Sequence, residues 1–415
     1  MNFSKVREHI PLFLLRALGV GLSALGTIHV ARVLGPEKLG ISTFVFGFVL
    51  QAGMLIDLNQ NYEIVRRGKN DADKTSLDRL IAEVFSYRLT IAICLTLIGL
   101  IGVVCMRPSS QWTLAIACGF ALIFFQGNHA GWLLQIHGKM AQYFSALSIQ
   151  GIVTGLLALA FIRADWPAGS DLAVGLVGSM LAFALAWRWA LHGKHRLALS
   201  PRHAWNGMMI LKSGKWLALM GIATYLLSSL EVLLIGALCP IEELGQYRTA
   251  TQLINLINPF LPLLFNKLYP ELIELEKTAS TSVFPLQCKL ALQTLLVGAP
   301  IVLLAFLLAP HIYPLIFGQA YAAAALPFVI LVGSKILSVA VNIFMWGVFA
   351  RHLDRKAVLL TFISAAIGIS ANVLLIPRWG AVGACSVNLL AQLILLAGYA
   401  LVMRSSTTRN LVVSP

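Results

Sequence analysis

The chain is a succession of twelve apolar segments, and that pattern decides its class before any single residue is weighed. The segments run 11–33, 40–61, 81–105, 112–136, 142–162, 171–192, 214–238, 247–270, 286–309, 324–350, 355–376 and 381–403. A helix needs about 20 apolar residues to cross the hydrocarbon core of a bilayer, and each segment is close to that length. Lipid offers no partner for an open backbone N–H or C=O, so segments of this length must pass through it as helices. The expectation is an all-α, polytopic membrane protein with about twelve transmembrane helices. Composition agrees. Of 415 residues, 58% are hydrophobic and only 12% charged, and the mean hydropathy is +0.82. Soluble domains carry about 25% charged residues. The deficit excludes a soluble enzyme with a stray anchor.

The net charge of +14 would suggest a nucleic-acid partner if its lysines and arginines were clustered without regard to the spans. Instead they alternate. Taken loop by loop with the adjoining span ends, one set of loops holds 22 basic residues and the other holds only Lys38, Arg107, Arg163 and Arg378. By the positive-inside rule both termini lie in the cytoplasm, and no nucleic-acid partner is expected. The first span, 11–33, follows a short charged N-terminus and is read as uncleaved. The longest loops, 62–80 and 191–214, are both on the cytoplasmic side. No loop is long enough for a separate catalytic domain. The six cysteines form no CxxC pair, so neither a disulfide framework nor a metal site is expected. No GxxxxGK[ST], HExxH or GxSxG stretch occurs, so no cofactor, ATP motor or enzymatic role is expected. The energy source must be a gradient, a partner or the substrate's own concentration difference.

The 191–214 loop lies at the midpoint of the chain, and it separates two similar halves. LGPEKLG (34–40) stands between spans one and two, and LCPIEELG (238–245) between spans seven and eight. With one inserted residue, Pro36, Leu39 and Gly40 match Pro240, Leu244 and Gly245. Six spans per half is an even number, so both halves enter from the same side and the repeat is parallel. The expectation is two pseudo-symmetric six-helix bundles, 1–195 and 214–415, joined by a cytoplasmic linker at 196–213. Two rigid bundles with the pathway at their interface are a physical basis for alternating access.

Several stretches resemble polysaccharide flippases of the multidrug/oligosaccharidyl-lipid/polysaccharide exporter superfamily. ARVLGPEKLG (31–40) is similar to the end of that family's first span and first outer loop. In DLNQNYEIVR (57–66), Asp57, Asn61 and Arg66 fit an Asp-aromatic-Gly-x-Asn-x-x-x-x-Arg pattern, while Leu58 and Asn59 replace its aromatic and glycine. Phe125-Gln126-Gly127, LIFGQAYAAAALPF (315–328) and LIPRWGAVGA (375–384) extend the likeness across nearly the whole chain. The resemblance implies an O-antigen-type flippase in a bacterial inner membrane. It would move undecaprenyl-pyrophosphate-linked oligosaccharide between leaflets, with membrane lipids, a polysaccharide polymerase and chain-length proteins as further partners.

A lipid-linked sugar brings polar groups and a pyrophosphate through hydrocarbon, where each unpartnered polar group costs several kcal/mol. Cations within the spans are therefore the candidates for substrate binding, because charge-assisted hydrogen bonds hold phosphate best. Lys335, in ILVGSKILSVAV, is about eleven residues into its span and close to mid-bilayer. Arg248, Arg16 and Arg32 are the other candidates, with interfacial snorkelling as the competing reading for each. Asn255 and Asn258 add a polar lining beside Gln252, ahead of Pro259 and Pro262. Asp57 and Glu231 are the intramembrane carboxylates and the candidates for coupling to a proton or ion. Asp57 could instead be a static partner of Arg88, which lies at a similar depth. If Lys335 is only a buried counter-ion, Glu231 is its candidate partner. The glycines of GIVTG (151–155) predict close helix packing, and His129 and His137 are read as hydrogen-bonded rather than metal-binding. The runner-up functions are a small-molecule or drug cation antiporter of the same superfamily, a membrane polymerase or ligase, and a lipid II flippase. The surplus of basic over acidic residues in the spans favours an anionic substrate.

Overall fold

We describe the protein from a computed structural model covering residues 3–58, 60–70, 74–191, 200–213, 215–256, 284–351 and 353–412. The described residues are helical apart from short connections. The order is α1 (Phe3–Asp57), α2 (Asn61–Asn70), α3 (Lys74–Met106), α4 (Thr113–Gly127), α5 (Gly131–Ile136), α6 (Met140–Phe161), α7 (Ser170–Leu191), α8 (Pro201–Ser213), α9 (Lys215–Leu238), α10 (Ile241–Asn255), α11 (Phe284–Phe317), α12 (Ala325–Ala350) and α13 (Asp354–Val412). Single 3₁₀ turns at Ser110–Trp112 and Gln319–Ala324 precede α4 and α12.

Among these residues, eight helical stretches are long and apolar enough to cross a membrane. Two of them, Pro11–Asp57 and Arg355–Ser405, hold 47 and 51 residues, enough for two passes each. Each is broken once, by a glycine in the left-handed region. Gly35 (φ 76°, ψ 171°) interrupts α1 and Gly380 (φ 53°, ψ −134°) interrupts α13. Pro36 follows the first break, where its missing N–H and fixed φ suit a helix start. These breaks fall where LGPEKLG and LIPRWGAVGA predict turns between spans. α9 coincides with the seventh apolar segment and α10 covers the start of the eighth, of which residues 257–270 lie outside the described residues. The chain is an all-α, multi-pass membrane protein.

The described chain forms two compact units, 1–222 and 223–415. The segment 201–213, read from sequence as part of a linker, forms α8, which packs on α3 within the first unit. In unit 1, α1 and α6 approach each other backbone to backbone. A Cβ on Gly155 would lie 2.3 Å from the Leu22 carbonyl oxygen, and one on Gly151 would lie 2.6 Å from that of Gly19. The GIVTG stretch is thus a backbone-to-backbone seam, as its spacing predicts.

Each unit also fastens its first hairpin to its last, at equivalent positions. In unit 1, Lys38 Nζ donates to the carbonyls of Ala164 and Trp166, both at 2.9 Å. The Gly169 N–H donates to Ser42 Oγ at 2.9 Å, just ahead of α7. In unit 2, Glu243 Oε2 accepts the Ala381 N–H at 3.2 Å, just after the Gly380 break. Lys38 and Glu243 correspond in the LGPEKLG/LCPIEELG alignment, and Gly169 and Gly380 both adopt positive φ at the start of their unit's last span. A cation meets carbonyls past one helix's C-terminus and an anion meets an N–H at another's N-terminus, so opposite charges do the same job.

Candidate functional site

In unit 1 the sequence-identified carboxylate Asp57 ends α1 and belongs to a buried ion pair. Arg88, on α3 and only 1% exposed, donates through Nη2 to Asp57 Oδ1 and to Asn61 Oδ1, the latter at 3.0 Å. Asn61 Nδ2 completes the triangle by donating to Asp57 Oδ2 at 2.9 Å. The helix breaks directly after Asp57, at Leu58, whose φ of 43° is unusual for a residue with a side chain. Asn61 then begins α2, so the triad pins the corner between the two helices. His129 sits at the break between α4 and α5 and accepts the Gly131 N–H through Nδ1 at 3.3 Å. It is within electrostatic reach of both Arg88 and Asp57. Tyr143 reaches the same pair and Arg16 as well. Arg16 itself is half-buried and Arg32 is exposed.

In unit 2, Glu231 is 1% exposed and lies in a cage of neutral donors. Tyr247 on α10 donates its hydroxyl to Glu231 Oε2, and Asn388 on α13 donates to Oε1 at 3.2 Å. Ser334 on α12 in turn donates to Asn388 Oδ1. One carboxylate on α9 thereby ties four spans together. Lys335 is next to Ser334 in sequence and half-buried. Among the described residues Lys335 has no hydrogen-bond or ion-pair partner, and Glu231 is not its counter-ion. Arg248 lies on α10 at the level of Tyr321, in the 3₁₀ turn that leads into α12. Lys335 is ten residues beyond the start of α12, about 15 Å further along. Asn255 is exposed at the end of α10. Asn258, Pro259 and Pro262 lie outside the described residues.

The residues named from sequence therefore divide. Asp57 is neutralised by a buried arginine, so gaining a proton there would break an ion pair. Glu231 has no cation beside it among the described residues, so a proton can be exchanged there without that loss. Lys335 is a cation held without a counter-charge among the described residues. Sequence reasoning missed Tyr247, Asn388 and Ser334. The available signal was Asn388, an amide inside the apolar run SVNLLAQL, where a polar side chain needs a partner. Among the described residues no group of His, Cys, Asp and Glu could hold a metal ion.

Comparison with known proteins places this arrangement in a family. The polysaccharide biosynthesis protein family matches residues 6–276, well over half of the chain. The chain is 24% identical over 413 residues to a probable low-salt glycan biosynthesis flippase of Haloferax volcanii, covering 91% of this chain and 79% of the relative. Its fold is similar to that of a lipid II flippase in an inward closed conformation, with a TM-score of 0.74, 11% identity, and 96% and 87% of the two chains covered. It is also similar to a multidrug resistance MATE family transporter of the MOP superfamily in an inward-facing conformation, with a TM-score of 0.59, 17% identity, and 96% and 95% covered. At these identities the two structural likenesses show the fold alone. On the extent of the family match, the chain belongs to the polysaccharide biosynthesis protein family.

Proposed function

We propose that this protein is a flippase for a lipid-linked oligosaccharide, and specifically for an O-antigen-type repeat unit carried on undecaprenyl pyrophosphate in a bacterial inner membrane. It works by alternating access of two six-helix units, performs no covalent chemistry on the sugar, and hands its substrate to a polymerase and chain-length proteins. Family membership supports the glycan class, as does the relative described as a glycan biosynthesis flippase. The observation that carries the anionic headgroup is Lys335. A lysine near mid-span costs about 2.5–3.5 kcal/mol to insert, and here no counter-charge among the described residues offsets it. A phosphate oxygen would do so by a charge-assisted contact. Because Arg248 stands at a different level of the same unit, the two cations meet the pyrophosphate in succession rather than together. Arg16, Arg32 and the amides of Asn255 and Asn258 are assigned to the approach path.

The test is surface polysaccharide in a flippase-null strain, with protein abundance measured in the same cells. Lys335→Ala should lose most transport at normal abundance, and Lys335→Arg should keep part of it. Full complementation by Lys335→Ala would remove this residue from the mechanism.

Coupling is assigned to Glu231 rather than Asp57, on the contrast between its neutral cage and the Asp57–Arg88 pair. Glu231→Gln keeps the shape and a hydrogen-bonding amide, so it should leave abundance unchanged while removing the dependence of flipping on an ion gradient in proteoliposomes. Gradient-dependent flipping in Glu231→Gln would contradict the assignment. The second reading, a drug cation antiporter, rests on the fold likeness to the MATE transporter. It predicts drug resistance on overexpression and no polysaccharide phenotype on deletion. The cation already committed to Asp57 makes it the weaker of the two.

A further inference from the structure

We propose that α8 and the adjoining start of α3 form a docking surface for anionic phospholipid headgroups, anchored by Trp205. The inference stands apart from the flippase reading, because it concerns the outer face of unit 1 and not the substrate path.

The azimuth of α8 is fixed by packing. Ala204, Gly207 and Ile210 are on its buried face. A Cβ on Gly207 would lie 2.3 Å from the Glu83 carbonyl oxygen and 2.7 Å from the Tyr87 ring, so the two backbones touch. Asn206 Nδ2 donates to Glu83 Oε1 at 3.2 Å, and Ile210 joins the core cluster of Leu80, Val84 and Tyr87. The opposite face must then point away from the unit. It presents Arg202, exposed, and Trp205, 59% exposed, at i and i+3.

The height of this face is set by α3. The apolar stretch Ser76–Cys105 has 30 residues, about 45 Å of helix against about 30 Å of hydrocarbon. Its first turns therefore stand in the headgroup layer, and those are the turns that α8 packs on. An outward tryptophan at that level is in the place where its amphipathic ring is most stable. The charge is complementary to an anionic surface. Within 200–215 the sequence contains Arg202, Lys212 and Lys215 and no Asp or Glu. Arg79, whose side chain is 68% exposed, is ion-paired with Glu83, the partner it shares with Asn206, so the net charge of this face comes from α8. A basic amphipathic helix of this kind lies in the interface plane and prefers anionic lipid.

The full-length protein in detergent is titrated with phosphatidylglycerol, with phosphatidylcholine or with inorganic phosphate, and thermal stability is followed. Phosphatidylglycerol should raise the melting temperature saturably, at a midpoint several-fold below that of phosphatidylcholine, and inorganic phosphate should not. Arg202→Gln should weaken the phosphatidylglycerol midpoint about fivefold, as expected for one interfacial charge. Trp205→Ala should weaken both lipids, and Trp205→Tyr, which keeps an interfacial ring, should restore most of the effect. The lipid-free melting temperature of each variant reports folding separately. Arg163→Gln, an exposed arginine beyond the other end of α6, serves as the control and should change nothing. Equal response to the two lipids would overturn the proposal. So would unchanged lipid selectivity in Arg202→Gln, and in that case a loss of polysaccharide complementation by the same variant would mean that the face docks a protein instead.

Discussion

At the scale of single residues, the two buried carboxylates predict opposite mutational behaviour. Arg88 is almost wholly buried against Asp57 and Asn61. Breaking such a pair leaves an uncompensated charge and costs about 3–5 kcal/mol. Arg88→Ala and Asp57→Ala should therefore both lower melting temperature and membrane abundance. Asp57 retains 24% side-chain exposure, so its loss should lie toward the lower end of that range. The double variant Arg88→Met/Asp57→Leu should recover part of the loss, because two apolar groups replace one stranded charge. A double variant as unstable as the sum of the singles would show that the pair is not the source. Glu231→Gln, by contrast, should melt as the parent does.

At the scale of helices, four glycines predict graded effects from one substitution. Gly155→Ala pushes a methyl group against the Leu22 carbonyl at 2.3 Å and should destabilise by about 1–3 kcal/mol, the usual cost of overpacking. Gly175 has nothing within 4 Å of an added Cβ, so Gly175→Ala should be close to neutral. Gly380→Ala should be the most damaging. Its φ is +53° and its Cβ would fall 1.7 Å from Glu243 Oε2, displacing the carboxylate that caps the last span. Gly35 has a positive φ as well but open space around it, so Gly35→Ala should cost only the backbone strain of a positive-φ extended residue, about 1–3 kcal/mol. Melting of the four purified variants checks the order, and a Gly380→Ala protein no worse than Gly35→Ala would remove Glu243 from the account.

At the scale of the whole molecule, the distribution of basic residues predicts topology. Reporter fusions after Ser405 and within 195–210 should both read cytoplasmic, because the loop set that includes these sites holds 22 basic residues against four in the other. A periplasmic signal at either site would reverse the map and move α8 to the other leaflet. The equivalent fastening of the first and last hairpins by Lys38 in one unit and Glu243 in the other adds structural support to the internal repeat. It also accounts for the weakness of the repeat in sequence. The position is kept while its charge is inverted, since carbonyls require a donor and an N–H requires an acceptor.

What the sequence determined by itself is everything that depends on length, hydropathy and local backbone geometry. Twelve apolar runs dictate membrane helices, because lipid leaves the backbone no other partner. Glycine and proline at 35–36 and 380 mark the corners, because few other residues adopt those conformations. GIVTG marks a close seam, because only small side chains let backbones touch. Depth along a span is also legible, which is why Asp57 and Arg88 were recognisable as partners. The tertiary structure alone decided the rest. Whether Glu231 meets Lys335 or a cage of Tyr247 and Asn388 depends on azimuth among four packed helices, and residues 16 to 157 positions apart in sequence converge there. Apolar spans carry almost no periodicity to reveal that azimuth, because lipid and core are equally apolar and every face of the helix reads alike. The same reason hid α8. Its short run is too polar to span and was read as linker, and only its close packing on Glu83 and Tyr87 shows which face it turns outward.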